Sequence, residues 1–442
     1  MTGDGETTTR RLSPAMVAPT LTLLGWAAFA WYLFWQGTAG YPLLWSDSTS
    51  YATIATHPFW STGFWAGQRP PLVPFLLKVA GTANGYVALQ SVLAAAAWGL
   101  LAFTVGRLVS PGWRRLVAAW VVLAFASTTP ITLWDRSVLS ESPSLSLLAV
   151  VMAAVIWAAR RLTLTRIAVV VGLALAFAFT RDAQVWTVAA LGVVVVGVVG
   201  VRILRRRPFP GLAAILAIGL LVVAAVPGWL VVHTGRSRQN IADDFYVRIF
   251  PFPARVAWFA AHGLPDPGAI DRGAAASAAP SPGAAKVIGP DQIGTDYNAI
   301  GPWVTAHGES TYLLWLVTHP TFIVTEPLAR PERAYNFADG LLSFYAPLGW
   351  NSPPTTPVLW PAWWWLLPLT AVGLGTAAVK NGWREHSFQA LVMLSALGIF
   401  TMLVAWQGDG QEVTRHTVEG FAEVRAGVLI LALVGVLRLV PT

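Results

Sequence analysis

Apolar runs of roughly helix-spanning length alternate along this chain with short polar stretches that hold nearly all of its charge. About 20 apolar residues is the length an α-helix needs to cross hydrocarbon. A helix also satisfies its own backbone polar groups there, as an open strand cannot. On this pattern, spans are expected at 15–36, 86–108, 114–133, 140–159, 166–180, 184–201, 210–232, 358–379, 386–406 and 423–440, ten in all. The stretch 71–82 reads as a re-entrant or interfacial piece, and the polar segment MTGDGETTTRRLSPA leads into a first helix read as retained rather than cleaved. No repeat of 20–50 residues is visible.

Composition agrees with the pattern. The 442 residues are 55% apolar and 11% charged, with 23 Trp, which excludes an ordinary soluble domain. The fold class expected is an all-α polytopic membrane protein with interfacial helices outside the bilayer. Absence of cysteine removes disulfides, thiolate metal sites and thiol nucleophiles. The net charge of +8 reads as topology rather than as a nucleic-acid footprint. One side collects fifteen bases, from Arg10 and Arg11 through Arg107, Arg114, Arg115, Arg160, Arg161, Arg166 and the Arg202–Arg207 group to Lys380, Arg384 and Arg438. Against them stand only Asp4, Glu6 and Glu385. The positive-inside rule puts that side, and both termini, in the cytoplasm of a plasma-membrane protein.

The polar mass is then extracytoplasmic: loop 37–85, the turn 134–139, the hairpin tip 181–183, the long segment 233–357 and loop 407–422. Three regions result: a transmembrane module 1–232 carrying the first loop, the segment 233–357, and C-terminal helices 358–442. Within the middle region, 263–296 is rich in Ala, Gly, Pro and Ser and reads as a flexible insert. STYLLWLVTHPTFIVTEPLARPERAY, broken at Pro320 and Pro327, reads as interfacial helices.

Ionisable residues at a membrane lip are costly, so each group there is a functional candidate. Asp47, in SDSTSYATIA with Tyr51 one turn on, suits a general base; the competing reading is a helix N-cap. Asp135 and Glu141, in LWDRSVLSESPSLSLL, flank a turn and suit a divalent cation such as Mg²⁺ or Mn²⁺. The competing reading pairs Arg136 with one acid and leaves Glu141 to the helix dipole. Arg181 in FTRDAQ suits a lipid phosphate, or simply snorkels to the interface. Arg69 in the first loop, and Arg415 with His416 before the last helix, extend the same cationic lip, with headgroup anchoring as the alternative. WPAWWW, Trp360 to Trp365, reads as an aromatic belt. Neither a nucleotide-binding loop nor a hydrolase or DNA-binding signature is visible.

At these residues the chain resembles the GT-C superfamily of membrane glycosyltransferases that use polyprenyl-phosphate sugars. DSTSYATIA is similar to that family's acid followed by Tyr, LSESPSL to the acid opening its fourth helix, FTRDAQ to its lip Arg, and TRH to its late basic motif. The lone Asp47 departs from the paired acids of several such families, which leaves metal use open. The resemblance implies an inverting transfer to an acceptor hydroxyl of a glycan, lipid or protein. In it Asp47 is the base, Tyr51, Arg69, Arg136, Arg181, Arg415 and His416 bind substrate or lipid phosphate, and Asp135 and Glu141 are metal candidates. A lipid-glycan transporter or a non-catalytic assembly protein of the cell envelope is the alternative.

Overall fold

The structure is a computed structural model, and it describes residues 14–206, 208–234, 237–265, 301–329, 356–360, 363–379, 385–408 and 413–440. Among these residues the chain is helical, with one isolated parallel bridge between Leu43 and Ser137 in place of any sheet. The helices are α1 (Pro14–Thr38), α2 (Ser46–Thr56), α3 (Thr62–Trp65), α4 (Leu72–Ala80), α5 (Ala83–Gly106), α6 (Trp113–Ala126), α7 (Thr129–Thr132), α8 (Glu141–Arg160), α9 (Leu164–Ala178), α10 (Asp182–Leu204) and α11 (Gly211–Thr234). Beyond them come α12 (Ser237–Asp244), α13 (Pro253–Ala261), α14 (Glu309–Thr318), α15 (Pro320–Leu328), α16 (Thr356–Leu359), α17 (Leu366–Val379), α18 (His386–Gln407), α19 (Val413–His416) and α20 (Val418–Leu439).

A helix falls on each expected span, but the count of ten is not borne out. By length and composition, six described helices can cross a membrane, namely α5, α8, α10, α11, α18 and α20; α6 with the bent stretch Thr129–Arg136 makes a seventh if that 57° pair is one span. The regions expected at 166–180 and 358–379 hold shorter apolar helices, α9 and α17, of 15 and 14 residues.

The main core lies where α5, α8, α18 and α20 pack together, around Trp98, Leu101, Trp134, Met152, Leu394 and Phe421. Glycines bring α18 and α20 close. A Cβ on Gly420 would lie 2.5 Å from the Met402 amide nitrogen, and one on Gly398 would lie 2.7 Å from that of Val424. Small residues at such a crossing replace the hydrophobic drive that lipid cannot supply. Trp360 belongs to this core rather than to a belt. It is buried, stacks on Phe125 at 5.6 Å and lies 4.8 Å beneath the Arg425 guanidinium, whereas Trp364 and Trp365 are exposed.

A second, smaller core unites the described parts of 237–329. Phe245, Phe259, Tyr312, Trp315 and Phe322 pack around two π-helical turns, Phe245–Ile249 and Val304–Gly308. Pro320 opens α15 and separates it from α14, as the sequence suggests, and both helices expose apolar residues, among them Leu313, Val317 and Val324. Tyr312 ties this unit to the bundle by donating to Gln407 Oε1 at the end of α18 (3.0 Å). The flexible insert expected at 263–296 lies, from residue 266 on, outside the described residues.

Candidate functional site

The site is built on a pinned turn. Between α7 and α8 the chain would leave backbone carbonyls buried without partners, a cost of about 1–3 kcal/mol each. Gln90 of α5 meets this by donating Nε2 to the carbonyls of Asp135 (2.8 Å), Ser137 (3.0 Å) and Trp134 (3.3 Å), and Tyr86 donates to Leu139 (2.7 Å). From the other side, the Leu43 amide donates to the Arg136 carbonyl (2.8 Å) and the Leu43 carbonyl accepts from the Val138 amide (3.0 Å), the two bonds of the parallel bridge to Ser137. Glu141 is thereby presented as the first residue of α8, fully buried.

Ser48, beside Asp47, holds the start of α2. Its hydroxyl accepts from the Trp45 amide (2.9 Å) and donates to the Val138 carbonyl (2.8 Å), so the start of α2 is capped without Asp47. The Asp47 carboxylate instead accepts from Arg69 Nη2 (2.5 Å) through Oδ1 and from Arg415 Nη2 (2.6 Å) through Oδ2. Burial pushes this carboxyl up, but Arg415 and Arg69 outweigh burial and hold it below the usual Asp value. Tyr51, one turn on and buried, has its phenol pushed up by burial and then by the Asp47 charge.

The row continues across the bundle. Arg415 Nε donates to Glu141 Oε1 (2.5 Å); Arg181 Nη1 lies 3.5 Å from that same oxygen and donates to Glu419 Oε1 at 2.6 Å. The other terminal nitrogen, Nη2, meets His416 Nδ1 at 2.5 Å. Arg181 is extended backbone just before α10, and a bond from the Leu72 amide to the Phe179 carbonyl (3.3 Å) fastens α4 beside it. Arg69, Asp47, Arg415, Glu141, Arg181 and Glu419 thus form an alternating chain of three cations and three anions. Its members come from the first loop, α8, the α9–α10 hairpin, α19 and α20. Such pairing is what lets charge exist in a buried site.

The row forms the polar end of a cavity of about 810 Å³, lined there by Asp47, Tyr51, Arg69, Arg181, Arg415 and His416. The rest of its wall is different. Val185 and Trp186 of α10, Leu221 and Trp229 of α11, and Val404 of α18 form an apolar flank, and Asn240, Glu309 and Tyr312 of the smaller unit close over part of it. Trp186 and Trp229 are more than half exposed, so the apolar flank reaches the outer face of the bundle.

Six of the candidates read from the sequence therefore meet at one place, Asp47, Tyr51, Arg69, Arg181, Arg415 and His416, while three do not act as expected. Arg136 turns away to the Tyr41 carbonyl (3.4 Å). Asp135 accepts from Ser142 Oγ (2.6 Å) and is not part of the ion row. Glu141 belongs to the row, but as the partner of two guanidiniums rather than as a metal ligand. A divalent cation on Oε1 would sit against those positive charges, and no group of three or more His, Asp or Glu side chains placed to hold a metal occurs among the described residues. The Asp135–Glu141 pair does not fit a metal.

Glu419 is the member not anticipated. It lies in what reads as loop 407–422, but α20 begins at Val418, one turn earlier than the apolar run suggests. The signal that could have found it is Arg415, Glu419 and Glu423 at intervals of four, one face of a helix.

Comparison with known proteins adds one likeness. Neither a family model nor a curated protein matches the chain. Among solved structures, the chain is similar to the archaeal oligosaccharyltransferase AglB from Archaeoglobus fulgidus in complex with an inhibitory peptide and a dolichol-phosphate, with a TM-score of 0.44 and 12% identity over 93% of this chain. The chain spans about half the length of that protein, 50% of it being covered. A likeness at this TM-score and identity is too distant to assign an activity.

Proposed function

We propose that this chain is a membrane glycosyltransferase of GT-C type, which moves a sugar from a polyprenyl-phosphate donor to an acceptor hydroxyl with inversion at the anomeric carbon. The observation that carries the reading is the cavity itself. An apolar flank open toward the lipid face runs into a buried end where three arginines and a histidine converge, a shape and polarity that suit a lipid tail joined to a phosphate.

In this reading the prenyl chain lies along α10 and α11. The phosphate is met by Arg181, Arg415, Arg69 and His416, with guanidiniums suited to two-point contact with its oxygens. They stabilise charge as it develops on the leaving phosphate. Asp47 takes the proton of the acceptor hydroxyl, the acceptor oxygen bonds to the anomeric carbon, and the bond from that carbon to the phosphate oxygen breaks. Before the donor arrives, Asp47 is ionised but held by two arginines, which makes it a weak base. A phosphate that takes over part of their charge restores its basicity. The charge asymmetry of the loops supports an extracytoplasmic side for this chemistry.

The test is binding of a polyprenyl phosphate to the purified full chain in detergent, and then transfer from a panel of polyprenyl-phosphate pentoses and hexoses. Binding lost in Arg181→Ala and Arg415→Ala, together with turnover in wild type, is the expected result. Binding without turnover of any donor would favour a lipid-glycan transporter, and no binding at all would overturn the donor assignment.

A further inference from the structure

Both terminal nitrogens of Arg181 are engaged, Nη1 by Glu419 and Nη2 by His416. A phosphate that takes the two-point fork of this arginine competes with them for its N–H groups and its charge. Glu419 is the anion to be exchanged. It closes the ion row, its side chain is 1% exposed, and its second oxygen, Oε2, is buried without a hydrogen-bond partner. Its tie to Arg181 therefore runs through one oxygen, in surroundings that reward a second contact. A phosphate offers that contact to the same guanidinium.

We propose that Glu419 is a positioning residue for Arg181 and an internal competitor for the substrate phosphate. Its carboxylate holds the guanidinium in place while the site is empty, yields it when a lipid phosphate enters, and reclaims it as the product leaves. The inference rests on the donor reading above. It gives the row a purpose beyond neutralising charge, because a site with three unopposed cations would retain the polyprenyl phosphate released by each turnover. The competing view is structural: an acid in the first turn of α20 is favoured by the helix dipole, and the pair with Arg181 merely staples the α9–α10 hairpin to α20.

The two views differ in the sign of one measurement. Farnesyl phosphate is titrated into the purified full chain in detergent, with farnesol as the uncharged control, for wild type, Glu419→Gln and Glu419→Asp. Competition predicts that Glu419→Gln binds farnesyl phosphate roughly tenfold tighter, since one charge a few ångströms from the ligand has been removed, with farnesol unchanged. Turnover would show KM and kcat falling together as product release slows. Glu419→Asp, which keeps the charge but withdraws it by one methylene, should lie between the two. It decides the matter if Glu419→Gln does not fold. Equal or weaker binding of farnesyl phosphate in the folded variant, or tightening that farnesol shares, overturns the competitor role while leaving the donor reading intact. Wild type that fails to bind farnesyl phosphate removes both.

Discussion

Replacing Asp47 by Asn separates the chemistry of the site from its architecture. The substitution keeps size and one acceptor oxygen but removes the charge that faces Arg69 at 2.5 Å and Arg415 at 2.6 Å. Arg415 retains Glu141, and Arg69 is a third exposed, so neither cation is left both buried and alone. The stability cost should stay near the loss of one charged hydrogen bond, about 1.5–3 kcal/mol. It should fall below the about 3–5 kcal/mol of an orphaned buried charge. A base of this kind contributes about 10²–10⁴-fold, or about 2.7–5.4 kcal/mol of barrier. Asp47→Asn should therefore elute as folded protein, bind polyprenyl phosphate at least as well as wild type, and lose transfer by two to four decades in a radiolabelled-donor assay. Since Ser48 caps α2, no helix loss can explain such a result. Transfer within a few-fold of wild type would refute the assignment. The pH dependence gives a second check. The folded Asp47 carboxyl lies below its ordinary value. The stability it contributes is thus complete above about pH 4, the unfolded range, and disappears as pH falls through the folded value. The acid limb of thermal stability should be shallower in Asp47→Asn, with no difference in slope between pH 5 and 7.

Other contacts set further expectations. Arg136→Ala should leave polyprenyl-phosphate affinity within about twofold, because Arg136 points to Tyr41 and away from the cavity, whereas Arg415→Ala leaves Asp47 with Arg69 alone and Glu141 with Arg181 at 3.5 Å, and should cost about 1.5–3 kcal/mol of stability along with binding. Gln90→Leu leaves three buried carbonyls without their shared donor and should lower the thermal midpoint by the equivalent of about 1–3 kcal/mol, with transfer falling as Glu141 loses its fixed position. Gly420→Ala drives a methyl into the α18 backbone 2.5 Å away and should cost about 1–3 kcal/mol or more, read as lower yield of monodisperse protein.

Much of this arrangement is legible in the sequence, for identifiable reasons. Charge excluded from lipid gathers in loops, so alternating runs locate the helices and place Asp47, Arg69, Arg181 and Arg415 on a common lip. What escapes is pairing across distance. That Arg415 meets Asp47, 368 residues away, is a property of packing, not of pattern. The same limit hides the divergence of Asp135 and Glu141: six residues apart across a turn, they take different partners because Ser142 captures one and two arginines the other. Glu419 reads as loop because an acid usually marks one; paired with Arg181, it is carried inside the bundle. Trp360 is hidden by its company, a run of tryptophans of which Trp364 and Trp365 are exposed while it supports Arg425.

The alternating row also has a history within each molecule. Glu141 enters the membrane 274 residues before Arg415. At ordinary rates of synthesis, about 5–20 residues per second, the acid waits roughly 15–55 seconds for its counter-ion. During that interval the nascent chain holds Asp47 and Glu141 with only Arg69 and Arg181 to answer them. The row closes only with the last hairpin, which brings Arg415 and Glu419 to it together. A chain halted before residue 415 carries an unfinished electrostatic seam between its first loop and α8.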